Sequence, residues 1–261
     1  MAMASYLQIE KAGKVATVRL NRPEKHNAFD EPLIAELTQA FRDLASDAAV
    51  RVVVLAANGQ SFSAGADLDW MKRMSAMGRA ENERDAMALA NLMEAIDHCP
   101  KPVVGVIQGA AFGGGVGLVA CCDIAIATSS ASFCLSEVRL GLIPAVISPY
   151  VAAAIGPRAC RRYFLTAEKF DAATAAKLGL VHRVVEPEKL EAARDETVKH
   201  LLNGGPTAQV AAKDLIRRVT GASIDEALRR DTATRIADAR ASAEGKEGIA
   251  AFLEKRKPNW Q

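Results

Sequence analysis

The sequence predicts an α/β fold: a body of successive β-β-α units through residue 186, then a helical C-terminal region over 187–261. Three observations point there. Short, almost wholly apolar runs recur, stripes of helical period alternate with them, and the strand signal stops after about residue 186. Runs too short for a helix and too apolar for a half-exposed strand read as strands covered on both faces. The 261 residues, 50% hydrophobic and 25% charged, are globular values. A chain of this length buries roughly three-quarters of the surface its unfolded form exposes.

Taken in order, Val15–Leu20 is rich in β-branched residues and ends at the turn signal Asn21-Arg22-Pro23. Asp30 can cap a helix with Pro32 in its first turn, and Leu33, Ile34, Leu37, Phe41 and Leu44 then recur at helical spacing. Val52–Leu55 reads as a buried strand, Ala86, Leu89, Met93 and Ile96 as an amphipathic helix that ends before Pro100. Two further buried strands follow, in Pro102–Gln108 and Asp123–Ala127. Parallel crossovers are the natural connection for such units. From Glu186 to Gln261 the pattern is helical, broken at Gly204-Gly205-Pro206.

Charge and composition exclude several functions. The formal net charge is +2, so no strong field recruits nucleic acid or an anionic membrane. The pairs Arg161-Arg162, Arg217-Arg218 and Arg229-Arg230 are scattered rather than gathered into a basic stripe. No apolar run reaches the roughly 18 residues of a membrane span, and Met1–Ser5 opens nothing that resembles a signal peptide. Cys99, Cys121, Cys122, Cys134 and Cys160 are odd in number and set among apolar residues, so they read as reduced core thiols of a cytoplasmic protein. His98, His182 and His200 lack ligand spacing, and no metal site is expected.

Two loops carry backbone chemistry. Gln60–Leu68 follows the Val52 strand, and Gln108–Gly117 follows the next one and opens a helix through Gly113-Gly114-Gly115. Consecutive glycines at a helix start leave amide N–H groups unobstructed at the positive end of the macrodipole, which suits a phosphate or a developing oxyanion. They equally permit close helix packing, and spacing alone leaves both open. Gly115–Ala120 also fits G-x-G-x-x-A, with Glu137 twenty residues beyond Gly117. Four residues separate strand end from Gly113, however, and no second-strand pattern ends at Glu137, which argues against a dinucleotide site.

Taken together, Asn21–Ala28, Phe62–Leu68, Gly109–Gly115, Cys122–Ala127, Glu137–Pro144, Glu244–Gly248 and Phe252–Arg256 resemble the enoyl-CoA hydratase/isomerase (crotonase) family, in order from about residue 5 to the C-terminus. The resemblance implies a crotonase (ClpP-like) fold of stacked β-β-α superhelical turns, with a C-terminal helical region that builds a homotrimer or a hexamer of paired trimers. It implies an acyl-CoA thioester substrate and no separate cofactor, coenzyme A being carried by the substrate. The amides that polarise the thioester carbonyl would be those of Ala66 and Gly114, with Ala64, Asp67, Leu68 and Gly113 in the same two loops. Lys25, His26 and Ala28 would flank the CoA nucleotide, and Phe252 and Lys255 would close over its adenine and phosphates, often from a neighbouring subunit.

Family hydratases commonly use two glutamates, one three residues after the middle glycine and one twenty later. Here the first position is Gly117 and the second is Glu137. Glu137 remains the candidate acid–base group, with a pKa expected to rise through desolvation. The stretch Phe133–Leu142 with Pro144–Tyr150 looks like the bacterial glutaconyl-CoA hydratases, which act on 3-methylglutaconyl-CoA or its isohexenyl analogue in leucine and isoprenoid breakdown. That likeness implies a hydro-lyase; Arg139 could pair a substrate carboxylate or simply solvate a loop. The missing acid also suits a Δ3,Δ2-enoyl-CoA isomerase. A non-catalytic acyl-CoA or RNA binder is the rival of another class, disfavoured by Glu137, both donor loops and the small net charge.

Overall fold

A computed structural model describes residues 6–261. The chain opens with an antiparallel pair, β1 (Leu7–Ala12) and β2 (Val15–Leu20), and a short 3-10 turn leads to α1 (Glu31–Ser46). β3 (Val52–Ala57) and β4 (Ser61–Ser63) then precede α2 (Leu68–Ser75) and α3 (Arg79–Asp97). β5 (Val103–Ile107) and β6 (Ala110–Phe112) precede α4 (Gly114–Cys121), and β7 (Ile124–Thr128) and β8 (Ser132–Cys134) precede α5 (Ser148–Thr166). After β9 (Phe170–Asp171), α6 (Ala172–Leu178) and β10 (Arg183–Val185) come α7 (Leu190–Asn203), α8 (Pro206–Val219), α9 (Glu226–Ala241) and α10 (Ala243–Leu253).

The longer strands form one six-stranded sheet, β1-β2-β3-β5-β7-β10, parallel from β2 onward. The short ones form a second sheet, β4-β6-β8-β9. The pairs β3/β4, β5/β6 and β7/β8 each place the first strand in the larger sheet and the second in the smaller, whereas β1 and β2 both join the larger one. The all-apolar runs are explained by two separate cores. Val53, Leu55 and Ala57 of β3 face the main core with α1 and α3, while Val52, Val54 and Ala56 face a smaller one covered by Leu190, Ala193 and Val198 of α7. The same alternation sends Val103 and Ile107 of β5 to one core and Val104 and Val106 to the other. A sheet covered on both faces has no use for alternate polar residues.

The expected strands and helices are present, and Asp30 caps α1 by accepting from Leu33 N–H at 3.0 Å. The structure adds β1, α2 and the second sheet. Three-residue strands such as β4, β6 and β8 are too short to show a period, so their sequences read as loop. All five cysteines are free and buried. Among the described residues no helix is long and apolar enough to cross a membrane.

One ion pair ties α8 to the sheets. Lys213 Nζ lies 2.7 Å from Asp123 Oδ2, which also accepts from Val103 N–H at 2.7 Å. Lys213→Met leaves the half-buried Asp123 carboxylate with only the Val103 N–H and is expected to cost about 1–2 kcal/mol of stability, between an exposed pair and a buried one. Denaturation of Lys213→Met beside the double variant with Asp123→Asn measures it, the second change restoring part of the loss.

Candidate active site

The site is assembled where the first and second sheets hand over to α2 and α4. In the segment between β4 and α2, Phe29 N–H donates to Gly65 O at 2.7 Å and Asp67 N–H donates to Phe29 O at 2.8 Å. This one-residue parallel bridge uses the groups on either side of Ala66 and leaves the Ala66 N–H pointing away from Phe29. Gly65 makes the turn possible with φ of +86°, and a Cβ there would come within 3.0 Å of Phe112 O. Asp67 then caps α2, its Oδ1 accepting from Asp69 N–H at 2.8 Å and Trp70 N–H at 3.2 Å.

The second loop descends from β6. Gly113 has φ of 48° and donates its N–H to Cys134 O at 2.8 Å. Gly114 opens α4, where the first-turn amides have no intrahelical acceptor and carry the positive end of the helix dipole. Side chains are excluded here because a Cβ on Gly114 would stand 2.6 Å from the Phe29 ring. The two loops touch: a Cβ on Gly65 would lie 3.8 Å from Gly113 Cα.

Glu137 begins a single 3-10 turn after β8 and brings its carboxyl back against this pair of loops. A Cβ on Gly113 would be 3.1 Å from Glu137 Oε1. Oε2 is buried and has no hydrogen-bond partner among the described residues, and burial pushes the carboxyl pKa up, opposed only by its own backbone amide. A carboxyl held against the Gly113 loop, with an oxygen unsatisfied among the described residues, is equipped to exchange a proton with a ligand there.

No second carboxylate has room beside it. A Cβ on Gly117 would fall 2.3 Å from Ile147 Cγ2 and 3.1 Å from Met93 Cε, both side chains being fully or almost fully buried. The position at which many family hydratases carry an acid is therefore filled from outside by Ile147. Gly117→Glu alone is expected to lower the melting temperature sharply, whereas Gly117→Glu with Ile147→Gly recovers much of it. An unchanged melting temperature in the single variant would contradict this packing.

Of the remaining predicted residues, Lys25 pairs with Asp67 at 3.6 Å and Asp69 at 3.3 Å, and its ammonium pKa is raised first by the Asp69 hydrogen bond. His26 has φ of 52° and contacts Ser61 Oγ through Nδ1 at 3.1 Å. The carbonyl of Ala28 accepts from Arg22, the exposed Ala64 donates its N–H to His26 O at 2.9 Å, and Leu68 projects into solvent at the start of α2. Phe252 and Lys255 lie elsewhere, at the exposed end of α10, which packs on α8 and α9. The G-x-G-x-x-A run falls inside α4, and Glu137 starts a turn rather than ending a second strand. Sequence reasoning passed over Phe29, Ile147 and Arg22. Only Arg22 left a trace there, as a charged residue in a turn motif otherwise flanked by strand and helix.

Residues 10–261 match the family model described as enoyl-CoA hydratase/isomerase. The chain is similar to an enoyl-CoA hydratase structure from Shewanella pealeana, with 47% identity, TM-score 0.95 and 98% and 96% of the two chains covered. It is similar to Pseudomonas aeruginosa AtuE at 36% identity and TM-score 0.94, covering 98% and 99% of the chains. Crotonyl-CoA hydratase of Syntrophomonas wolfei is 34% identical over 97% of this chain and 96% of its own length. With the same fold, the same ordered motifs and matches over nearly its whole length, the chain belongs to the enoyl-CoA hydratase/isomerase family.

Proposed function

We propose that this protein adds water across the C2–C3 double bond of an enoyl-CoA thioester, and that its acyl group is of the 3-methylglutaconyl type. The observation that carries the chemistry is the single carboxyl of Glu137, lying against Gly113 with Oε2 unpartnered. In this mechanism the Ala66 and Gly114 amides hold the thioester oxygen. Attack at C3 pushes charge onto that oxygen, and fixed donors stabilise it without reorganising, each typically worth about 2.7–4 kcal/mol of barrier. Glu137 takes a proton from water as the C3–O bond forms and returns a proton to C2 as the enolate collapses. One carboxyl serving both steps from one side gives syn addition.

With Gly117 blocked by Ile147, nothing on α4 can hold the attacking water, and the distal carboxylate of a glutaconyl substrate supplies that role. Arg139 and Lys169 support such a substrate. Both lie near enough to Cys134 to favour its thiolate, although burial keeps that thiol raised, and Lys169 Nζ sits 5.0 Å from the centre of the Phe112 ring. They present positive charge beside the loop that carries Gly113. Lys25 and His26 fit the flank of a CoA nucleotide site, with Ala28, Ala64 and Leu68 in the adjoining loops and the buried Asp67 bracing them, and the exposed Phe252 and Lys255 fit a cover supplied by a neighbouring subunit of a trimer or hexamer. Relatives named crotonyl-CoA hydratase and short-chain-enoyl-CoA hydratase support hydration as the reaction. The lone carboxyl also favours a second reading, isomerisation of a 3-enoyl-CoA by proton transfer between C2 and C4.

Hydration of 3-methylglutaconyl-CoA beside crotonyl-CoA tests the substrate. The branched diacid is expected to turn over faster, and a 3-enoyl-CoA that isomerises while neither substrate is hydrated would reverse the assignment. Glu137→Gln is expected to lose at least about 100-fold in kcat. Wild-type rate should rise with pH through a midpoint above the ordinary carboxylate range, because the base must be ionised. The same raised pKa means the native state holds this proton more tightly than the unfolded chain, so its stabilising effect is present in acid and lost as pH rises. Glu137→Gln should therefore melt higher than wild type at neutral pH, with the difference vanishing in acid.

A further inference from the structure

We propose that Arg22 is a positioning residue for the Ala66 amide, bridging the two helix caps and the strand segment from which that donor projects. The residue is buried, only 8% exposed, and its side-chain hydrogen bond and ion pairs all lead to the donor loop or its support. One Nη lies 2.7 Å from Asp30 Oδ2 and donates to Ala28 O at 3.1 Å, and the other lies 3.7 Å from Asp67 Oδ2. The plane stacks on Tyr6, 4.4 Å from the ring centre. Asp30 uses its other oxygen to cap α1, and Asp67 uses its other oxygen to cap α2. Arg22 thus faces the outward oxygen of both caps.

Between those caps is Phe29, whose backbone grips Gly65 and Asp67 and so sets the direction of the Ala66 N–H. The backbone of Arg22 is fixed as well, its N–H donating at 2.8 Å to Asn27 Oδ1. Asn27 in turn donates from Nδ2 to Asn58 O at 2.8 Å and Ser61 O at 2.9 Å. The segment 22–30 is therefore stapled to the β3–β4 turn at one end and to the start of α2 at the other. Asp67 is held below the usual carboxylate range: burial would raise it, but the Trp70 and Asp69 amides and the charges of Lys25 and Arg22 outweigh that. A planar fork can serve a carbonyl and a carboxylate at once while its charge attracts a second carboxylate. A lysine ammonium cannot reproduce that geometry.

The inference rests on the assignment of Ala66 as a thioester donor, and the test separates the two. A 4-dimethylaminocinnamoyl-CoA chromophore absorbs further to the red when its thioester carbonyl is polarised, and the wild type is expected to shift it. Arg22→Lys and Arg22→Met, shown folded by circular dichroism, should give a smaller red shift. Their kcat should fall, by up to about 100-fold for methionine, the loss a misplacement of about 1 Å brings, while KM stays within about twofold, as for an interaction made chiefly in the transition state. If methionine prevents folding, Arg22→Lys and Asp67→Asn, which keeps an oxygen for capping α2, carry the comparison. Folded variants with the full red shift and wild-type kcat would overturn the role of Arg22 and leave the donor assignment standing. No red shift in the wild type would remove the donor assignment, and this inference with it.

Discussion

At Phe29 one buried residue grips both halves of the site. Its N–H and carbonyl bond the backbone on either side of Ala66, and its ring closes against Gly114 so that no side chain fits there. A parallel bridge of a single residue would be weak alone, but here Asp30 and Asp67 cap a helix on each side of it and Arg22 spans both caps. The Ala66 and Gly114 amides, where the loops meet, have no acceptor among the described residues, and in the proposed mechanism the rigidity of the fold lets them wait for a ligand oxygen. An unsatisfied donor is costly in a core; at a thioester site it is the means of catalysis.

Glu137 follows the same logic. Its carboxyl is half-buried, pushed toward the protonated form, and left with an oxygen that no protein group satisfies. A group whose pKa is raised by burial opposes the stability of the folded state when ionised and exchanges its proton more readily than an ordinary carboxyl would at higher pH. Ile147 keeps it alone by filling the space beside Gly117. In the proposed reaction the chemistry runs on one protein carboxyl, with water held by the substrate. That constraint separates this chain from family members with two glutamates more sharply than any difference in fold.

Much of this was readable from the sequence. Val52–Leu55, Pro102–Gln108 and Asp123–Ala127 announced a sheet covered on both faces because their apolar character has no other cheap explanation. The glycine loop at 113–115 left oxyanion binding and close packing both open, and only the ordered family motifs favoured the first. Gly117 was visible as a missing acid, yet the reason for it was not, since Ile147 meets it only through the folded chain. The same holds for Phe29 and Arg22, whose parts in the site exist only as contacts with Gly65, Asp67 and Gly114. The three-residue strands of the second sheet stayed hidden because their order comes from stacking on neighbours rather than from local pattern.

The most direct measurement is a crystal structure of the protein with acetoacetyl-CoA bound. The thioester oxygen should lie within hydrogen-bond distance of both the Ala66 and Gly114 nitrogens, with the Glu137 carboxyl facing C2 and C3 of the acyl chain. A thioester oxygen bonded to neither amide, or an acyl chain lying away from Glu137, would contradict the site.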